Sequence, residues 1–173
     1  IKGIALKSNI TLQGGASVVG GVAGVNRGTI GGDNADRCTV KDGALTLSLT
    51  AADITLGGAA GQNDKDAIIN NVQVALNVTQ NLGKYRTLGG VAGVNNGTLK
   101  NCVFTAGQLG EAVKANAPAT TGAAKVGDAI GGMAGVNNGK VEGCYVQSIT
   151  LNVLGESNVE ASQDVETKLN SSS

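Results

Sequence analysis

Three stretches of this chain repeat one another almost residue for residue, and such internal repetition decides a fold before any local propensity does. The first is Gly20-Gly21-Val22-Ala23-Gly24-Val25-Asn26-Arg27-Gly28-Thr29-Ile30. The second is Gly89-Gly90-Val91-Ala92-Gly93-Val94-Asn95-Asn96-Gly97-Thr98-Leu99. The third is Gly131-Gly132-Met133-Ala134-Gly135-Val136-Asn137-Asn138-Gly139-Lys140-Val141. A degenerate fourth copy, Gly57-Gly58-Ala59-Ala60-Gly61-Gln62-Asn63, keeps both leading glycines, the small pair and the Asn but loses the later Gly.

A cysteine follows at a related place. Cys102 lies 12 residues after Gly90 and Cys144 lies 12 after Gly132. Cys38 lies 17 after Gly21, as a five-residue insertion at Gly31-Gly32-Asp33-Asn34-Ala35 would require. In the degenerate copy Asn71 falls at the matching place. The second glycines are 37, 32 and 42 residues apart. A solenoid tolerates that spread when the extra residues sit on turns, because only the stacked strands must keep register. The segment 111–129, rich in Ala, Thr and Gly and containing Pro118, is expected to be such an insertion and a mobile surface loop.

Within the repeats the hydrophobic period is two. Ala44-Leu45-Thr46-Leu47-Ser48-Leu49-Thr50 alternates strictly, and so, largely, do Val72-Gln73-Val74-Ala75-Leu76-Asn77-Val78 and Ile149-Thr150-Leu151-Asn152-Val153. Alternation bounded by Gly and Asn reads as strand. The composition agrees. There are 28 Gly and one Pro, with 41% hydrophobic residues but only Tyr85, Phe104 and Tyr145 as aromatics. Tight turns joining short apolar strands fit this better than a core filled with large rings. The fold expected is all-β, a parallel β-solenoid of about four repeats over residues 1–155. The acidic stretch 156–173 would be a cap or linker, since an exposed solenoid end invites edge-to-edge association.

Small residues suit a sharp bend or a narrow interior. This gives a structural role to Gly21, Gly24, Gly58, Gly90, Gly93, Gly132 and Gly135. Two roles are open to the Asn at 26, 63, 95 and 137. Asn tolerates a left-handed turn, which Gly28, Gly97 and Gly139 would complete. Stacked Asn side chains also hydrogen-bond along a column. The three cysteines are odd in number with no Cys-x-x-Cys pair, so a buried column of free thiols is the first reading. Cys102 with Cys144 is the one pair for which a disulfide between coils is considered.

The pattern Gly-Val-Ala-Gly-Val-Asn-Asn-Gly-Thr-Leu-x-x-Cys resembles the GLUG motif of bacterial surface proteins, with Val or Met at 22, 91 and 133 where the motif has Leu. Asn101-Cys102 and Gly143-Cys144 fit its end, and the resemblance covers about half the chain. It implies a right-handed β-solenoid and a non-catalytic repeat region, as in filamentous-haemagglutinin-like adhesins and IgA-specific metallopeptidases. It brings no catalytic residue with it.

Other chemistries find little support. A net charge of zero argues against nucleic-acid or anionic-membrane binding by bulk electrostatics. The chain has no His, which excludes triads built on that residue. The 26 charged residues are scattered, with Arg only at 27, 37 and 86, so no polysaccharide-cleaving cluster is evident and no enzyme is expected. Asp33 with Asp36, and Asn63, Asp64 and Asp66, are weak calcium candidates, because neither set has the spacing of a known calcium loop. No apolar run approaches the ~20 residues of a membrane span. A start at Ile1 and an ending at Ser171-Ser172-Ser173 read as a section of a longer protein.

The expectation is therefore a non-enzymatic structural or adhesive module of a large secreted or surface-anchored bacterial protein. It would need no cofactor. Its partners would be flanking domains of the same polypeptide and a host glycoprotein or matrix protein. The alternative is an accessory, substrate-holding region of a secreted IgA-type metalloprotease.

Overall fold

The computed structural model describes residues 1–7, 9–13, 18–48, 53–80, 85–105, 108–111, 129–147 and 150–152. Most of the 111–129 insertion and the whole 156–173 tail lie outside these residues. Every sheet pairing among them is parallel, and the chain winds as a parallel β-solenoid of four coils.

Each coil contributes a strand to each of four sheets. Sheet I is the widest, with eight strands. It stacks Ala5–Leu6, Cys38–Ser48, Val72–Gln80, Val103–Thr105 and Tyr145–Gln147, with Ile10–Gln13, Gln108–Glu111 and Thr150–Asn152 extending its far half. Sheet II stacks Val18–Gly20, Asp53–Gly57, Tyr85–Gly89 and Ala129–Gly131. Sheet III stacks Ala23–Asn26, Ala60–Asn63, Ala92–Asn95 and Ala134–Asn137. Sheet IV stacks Thr29–Gly31, Ile68–Asn70, Thr98–Lys100 and Lys140–Glu142. The strands of sheets II, III and IV are short, most of them ending at a Gly or Asn, whereas Cys38–Ser48 and Val72–Gln80 of sheet I run on through Gly43 and Asn77.

Register follows the repeat. Ala23, Ala60, Ala92 and Ala134 align, as do Asn26, Asn63, Asn95 and Asn137. The interior is made of such columns. Val19, Leu56 and Leu88 are buried in one, Ile30, Ile69 and Leu99 in another, and Val40, Val74 and Phe104 in a third. Backbone bonding continues through the Gly-Gly corner: Val22 N donates to Ala59 O (2.9 Å), Ala59 N to Val91 O (2.9 Å) and Val91 N to Met133 O (3.0 Å).

The glycines mark how narrow this interior is. A Cβ on Gly90 would run into the Gly132 carbonyl oxygen and the Phe104 ring, and one on Gly58 into the Gly90 carbonyl. At Gly21 a Cβ would meet the Gly58 carbonyl and Val40, and at Gly132 it would meet Val146. The second glycine of each pair thus faces the sheet I column across one side chain's width. Among the described side chains of this thin core, Phe104 is the one fully buried ring. At Gly61, Gly93 and Gly135 the nearest obstacles include backbone atoms of sheet II, at 2.6 Å from Val19 N, 2.9 Å from Leu56 N and 2.9 Å from Leu88 N. Sheets II and III meet backbone to backbone there.

Three local expectations are corrected. The Cys column passes through Val72, which pairs with Cys38, and not through Asn71. Asn71 takes the left-handed turn position before the strand (φ 54°), shared with Asn101 (52°) and Gly143 (59°). The Asn at 26, 63, 95 and 137 are strand residues, none of them left-handed. Gly28, Gly97 and Gly139 likewise have no positive φ; Ala67 O and Gly97 O crowd the Cβ positions of Gly97 and Gly139, respectively, while the space at Gly28 is open. The five-residue insertion of the first coil runs over 32–36, one residue later than expected, because Gly31 pairs with Asn70 within sheet IV. It holds a 3₁₀ turn at Asn34–Asp36.

Candidate functional site

Among the described residues, a continuous row of polar side chains runs through the inside of the molecule. Asn26 Nδ2 donates to Asn63 Oδ1 (2.8 Å), Asn63 Nδ2 to Asn95 Oδ1 (2.8 Å) and Asn95 Nδ2 to Asn137 Oδ1 (2.7 Å). Asn63 and Asn95 are wholly buried and Asn26 nearly so. The remaining amide capacity goes to backbone: Asn26 Nδ2 reaches Gly28 O (3.1 Å), Asn63 Nδ2 reaches Ala67 O (3.3 Å) and Asn95 Nδ2 reaches Lys140 O (3.2 Å). At the first rung, Asn26 Oδ1 accepts from Gly28 N (3.2 Å). A buried amide is tolerated only when its donors and acceptors are met. Here the coil above and the coil below meet them, so each rung requires its neighbours. A slip of one residue in any coil would leave buried amides unpaired.

The next residue of each repeat forms a second, outer row. Arg27 Nε donates to Asp64 Oδ2 (3.0 Å), and Asn138 Nδ2 donates to Asn96 Oδ1 (3.0 Å). This row was readable by aligning the repeats, since opposite charges stand at the equivalent positions 27 and 64. The acidic candidates resolve into separate places. Asp36 Oδ2 pairs with Lys2 Nζ at 2.8 Å, and this partner holds the Lys2 proton above the usual lysine range. Asp33 precedes the 3₁₀ turn, Asp64 pairs with Arg27, Asp66 sits in a left-handed turn (φ 66°) and Asn63 belongs to the ladder. Among the described residues, no three Cys, Asp or Glu side chains converge as a metal-holding group.

The three thiols are free. Cys38 is buried under the amino-terminal segment, with Sγ 3.9 Å from Ile1 O. Cys102 is fully buried and its thiol points to Lys100 O (3.3 Å) and Ile69 O (3.4 Å). Cys144, one rung further, is half-buried, and its sulfur accepts the Cys102 N–H at 3.3 Å. Hydrogen bonding with the Cys102 side chain and with its backbone N–H draws the Cys144 thiol down to about 7, against the opposing effect of burial. The same pairing, with burial, pushes the Cys102 thiol far up. Of the two coupled thiols, the outer is thus the more acidic and the inner the less.

On the outer face of sheet I, a shallow groove of ≈ 230 Å³ crosses the coils. Arg37, Gln73, Asn101, Thr105, Tyr145 and Gln147 help line it, and Arg37 Nε donates to Asn71 Oδ1 at 3.0 Å. Tyr145 is 56% exposed there, on the wall rather than in the core. The Tyr85 side chain lies outside the described residues.

Fold and site together define a parallel β-solenoid whose polar machinery runs from coil to coil. Compared with protein-family models, with curated proteins and with solved structures, the chain finds no match. No helix among the described residues is long and apolar enough to cross a membrane.

Proposed function

We propose that this chain is a non-enzymatic structural and adhesive section of a large secreted or surface-anchored bacterial protein, of the GLUG-repeat kind. The observation that carries this reading is the continuous Asn ladder through all four coils. It ties a buried row of polar side chains to stacking, which is what a stiff spacer requires. A solenoid so registered holds its outer turns and the groove of sheet I at a fixed rise of about 4.8 Å per coil. In this reading the outer wall meets a host glycoprotein or matrix protein, and further domains of the same polypeptide continue the rod from its ends. The site of action is the bacterial cell exterior.

The test is a binding screen of the folded chain against immobilised host glycoproteins, matrix proteins and glycans, with calcium and with chelator. Saturable, calcium-independent binding is the expected result, because Asp36 and Asp64 already serve Lys2 and Arg27. A folded chain that binds nothing would remove the adhesive half of the proposal and leave a spacer.

A further inference from the structure

Cys102 and Cys144 differ from Cys38 in having each other. They lie one residue before the registered partners Val103 and Tyr145, hence on adjacent rungs of one column. Adjacent parallel strands lie about 4.8 Å apart, inside the 4.4–6.8 Å Cα separation that a disulfide spans. The Cys144 sulfur already touches the Cys102 backbone at 3.3 Å. Cys38 has Val72 on the next rung and therefore no partner thiol. Access is also graded: Cys144 is half-buried, whereas Cys38 and Cys102 are closed off.

We propose that Cys144 and Cys102 form a thiol-modification site for small disulfides, in which Cys144 takes the first sulfur at the surface and Cys102 resolves it into a bond between the third and fourth coils. The oxidant is a low-molecular-weight disulfide such as oxidised glutathione. In the first step the Cys144 thiolate attacks one sulfur of that disulfide. A bond forms from Cys144 to glutathione, the glutathione S–S bond breaks, and the departing thiolate takes a proton from water. In the second step no Cys144 thiolate remains to hold the Cys102 proton, so Cys102 gives it up to water as its sulfur attacks the Cys144 sulfur. The mixed disulfide breaks, and a second glutathione thiolate leaves and takes a proton from water. Two protein thiols are oxidised and one glutathione disulfide is reduced to two thiols. The acidity of Cys144 serves the first step, since the thiolate is the attacking form. Besides Cys102, the ionisable group acting on it is Glu142, whose carboxylate opposes the charge. The new bond fastens the last coil, which otherwise has a neighbour on one side among the described residues.

The experiment is a timed incubation of the whole chain with oxidised glutathione, alkylation of remaining thiols, trypsin digestion and mass spectrometry. Arg37, Lys100 and Lys140 place the three cysteines in three different peptides. Expected first is a transient glutathione adduct on Cys144, then a Cys102–Cys144 cross-linked peptide pair, with Cys38 left reduced. In C102S the adduct on Cys144 should persist, and in C144S neither remaining cysteine should react at a comparable rate. A lasting Cys144 adduct in the unaltered chain, cross-linking between two copies, or a cross-link that forms only in denaturant would overturn the proposal. Should C102S fail to fold, the order of adduct and cross-link in the unaltered chain decides the matter alone.

Discussion

The third and fourth coils carry nearly the same motif, Gly89–Leu99 and Gly131–Val141, yet their side chains live in different surroundings. Leu99 is wholly buried, whereas its register partner Val141 is 42% exposed. Asn95 is wholly buried and Asn137 half-buried. Cys102 is closed off and Cys144 half open. The backbone positions correspond throughout, so the motif does not set burial. Neighbours do: the third coil is covered on both sides, and among the described residues the fourth is covered on one. In a solenoid, stability is a sum of coil and interface terms. The same substitution should therefore cost much in one coil and little in the other.

The largest contrast is expected at the second glycine. Gly90→Ala puts a methyl against the Gly132 carbonyl and the Phe104 ring, a backbone and a filled core that cannot both move. A loss of about 3 kcal/mol or more is expected, whereas Gly132→Ala meets Val146, which can shift, and should cost about 1 kcal/mol. Urea midpoints at unchanged slope would read both. Equal losses would mean that the open edge is covered. Next comes the apolar column. Leu99→Ala should cost ~3 kcal/mol and Val141→Ala well under ~1 kcal/mol, by the same measurement.

The ladder should give a smaller contrast. Asn95→Ala removes the acceptor of Asn63 and the donor to Asn137, for a loss of about 2 kcal/mol. Asn137→Ala opens only the last rung and should cost about half as much. No loss from Asn95→Ala would show that the ladder does not hold the coils. The mildest probe is thiol labelling against pH. A lowered thiol gains its reactive, charged form as pH rises through its own value. Iodoacetamide labelling of Cys144 should therefore rise through about pH 7, while Cys102 stays unlabelled across the same range. Parallel labelling of both thiols would place them in one environment and erase the comparison.

Much of this could be read from the chain. The alternation in 44–48 and 72–78 falls within the strands Cys38–Ser48 and Val72–Gln80, and at the start of the second Val72 and Val74 are buried with Gln73 between them less so, the period of two that a strand with one inward face needs; Leu49 and Thr50 lie outside the described residues. The column of Asn was visible because identical residues recurred at one place in every copy. The ion pair of Lys2 with Asp36 was not, because Lys2 lies outside any repeat and only the return of the first coil brings it there. The path of the Cys column through Val72 was hidden too. The degenerate copy has no Cys to mark the place, and counting from a different neighbour moves the answer by one.

By itself the sequence determined the period, the parallel stacking and the set of positions that must be small, since a repeat that cannot bury its own apolar face has to bury it against its copies. The tertiary structure alone decided which copies are buried and which way each amide points. It also decided that, of the Cys102 and Cys144 pair the spacing already singled out, Cys102 is closed off and Cys144 half open. Those outcomes depend on neighbours one coil away in space, and a motif written identically in each coil carries no record of how many neighbours it has.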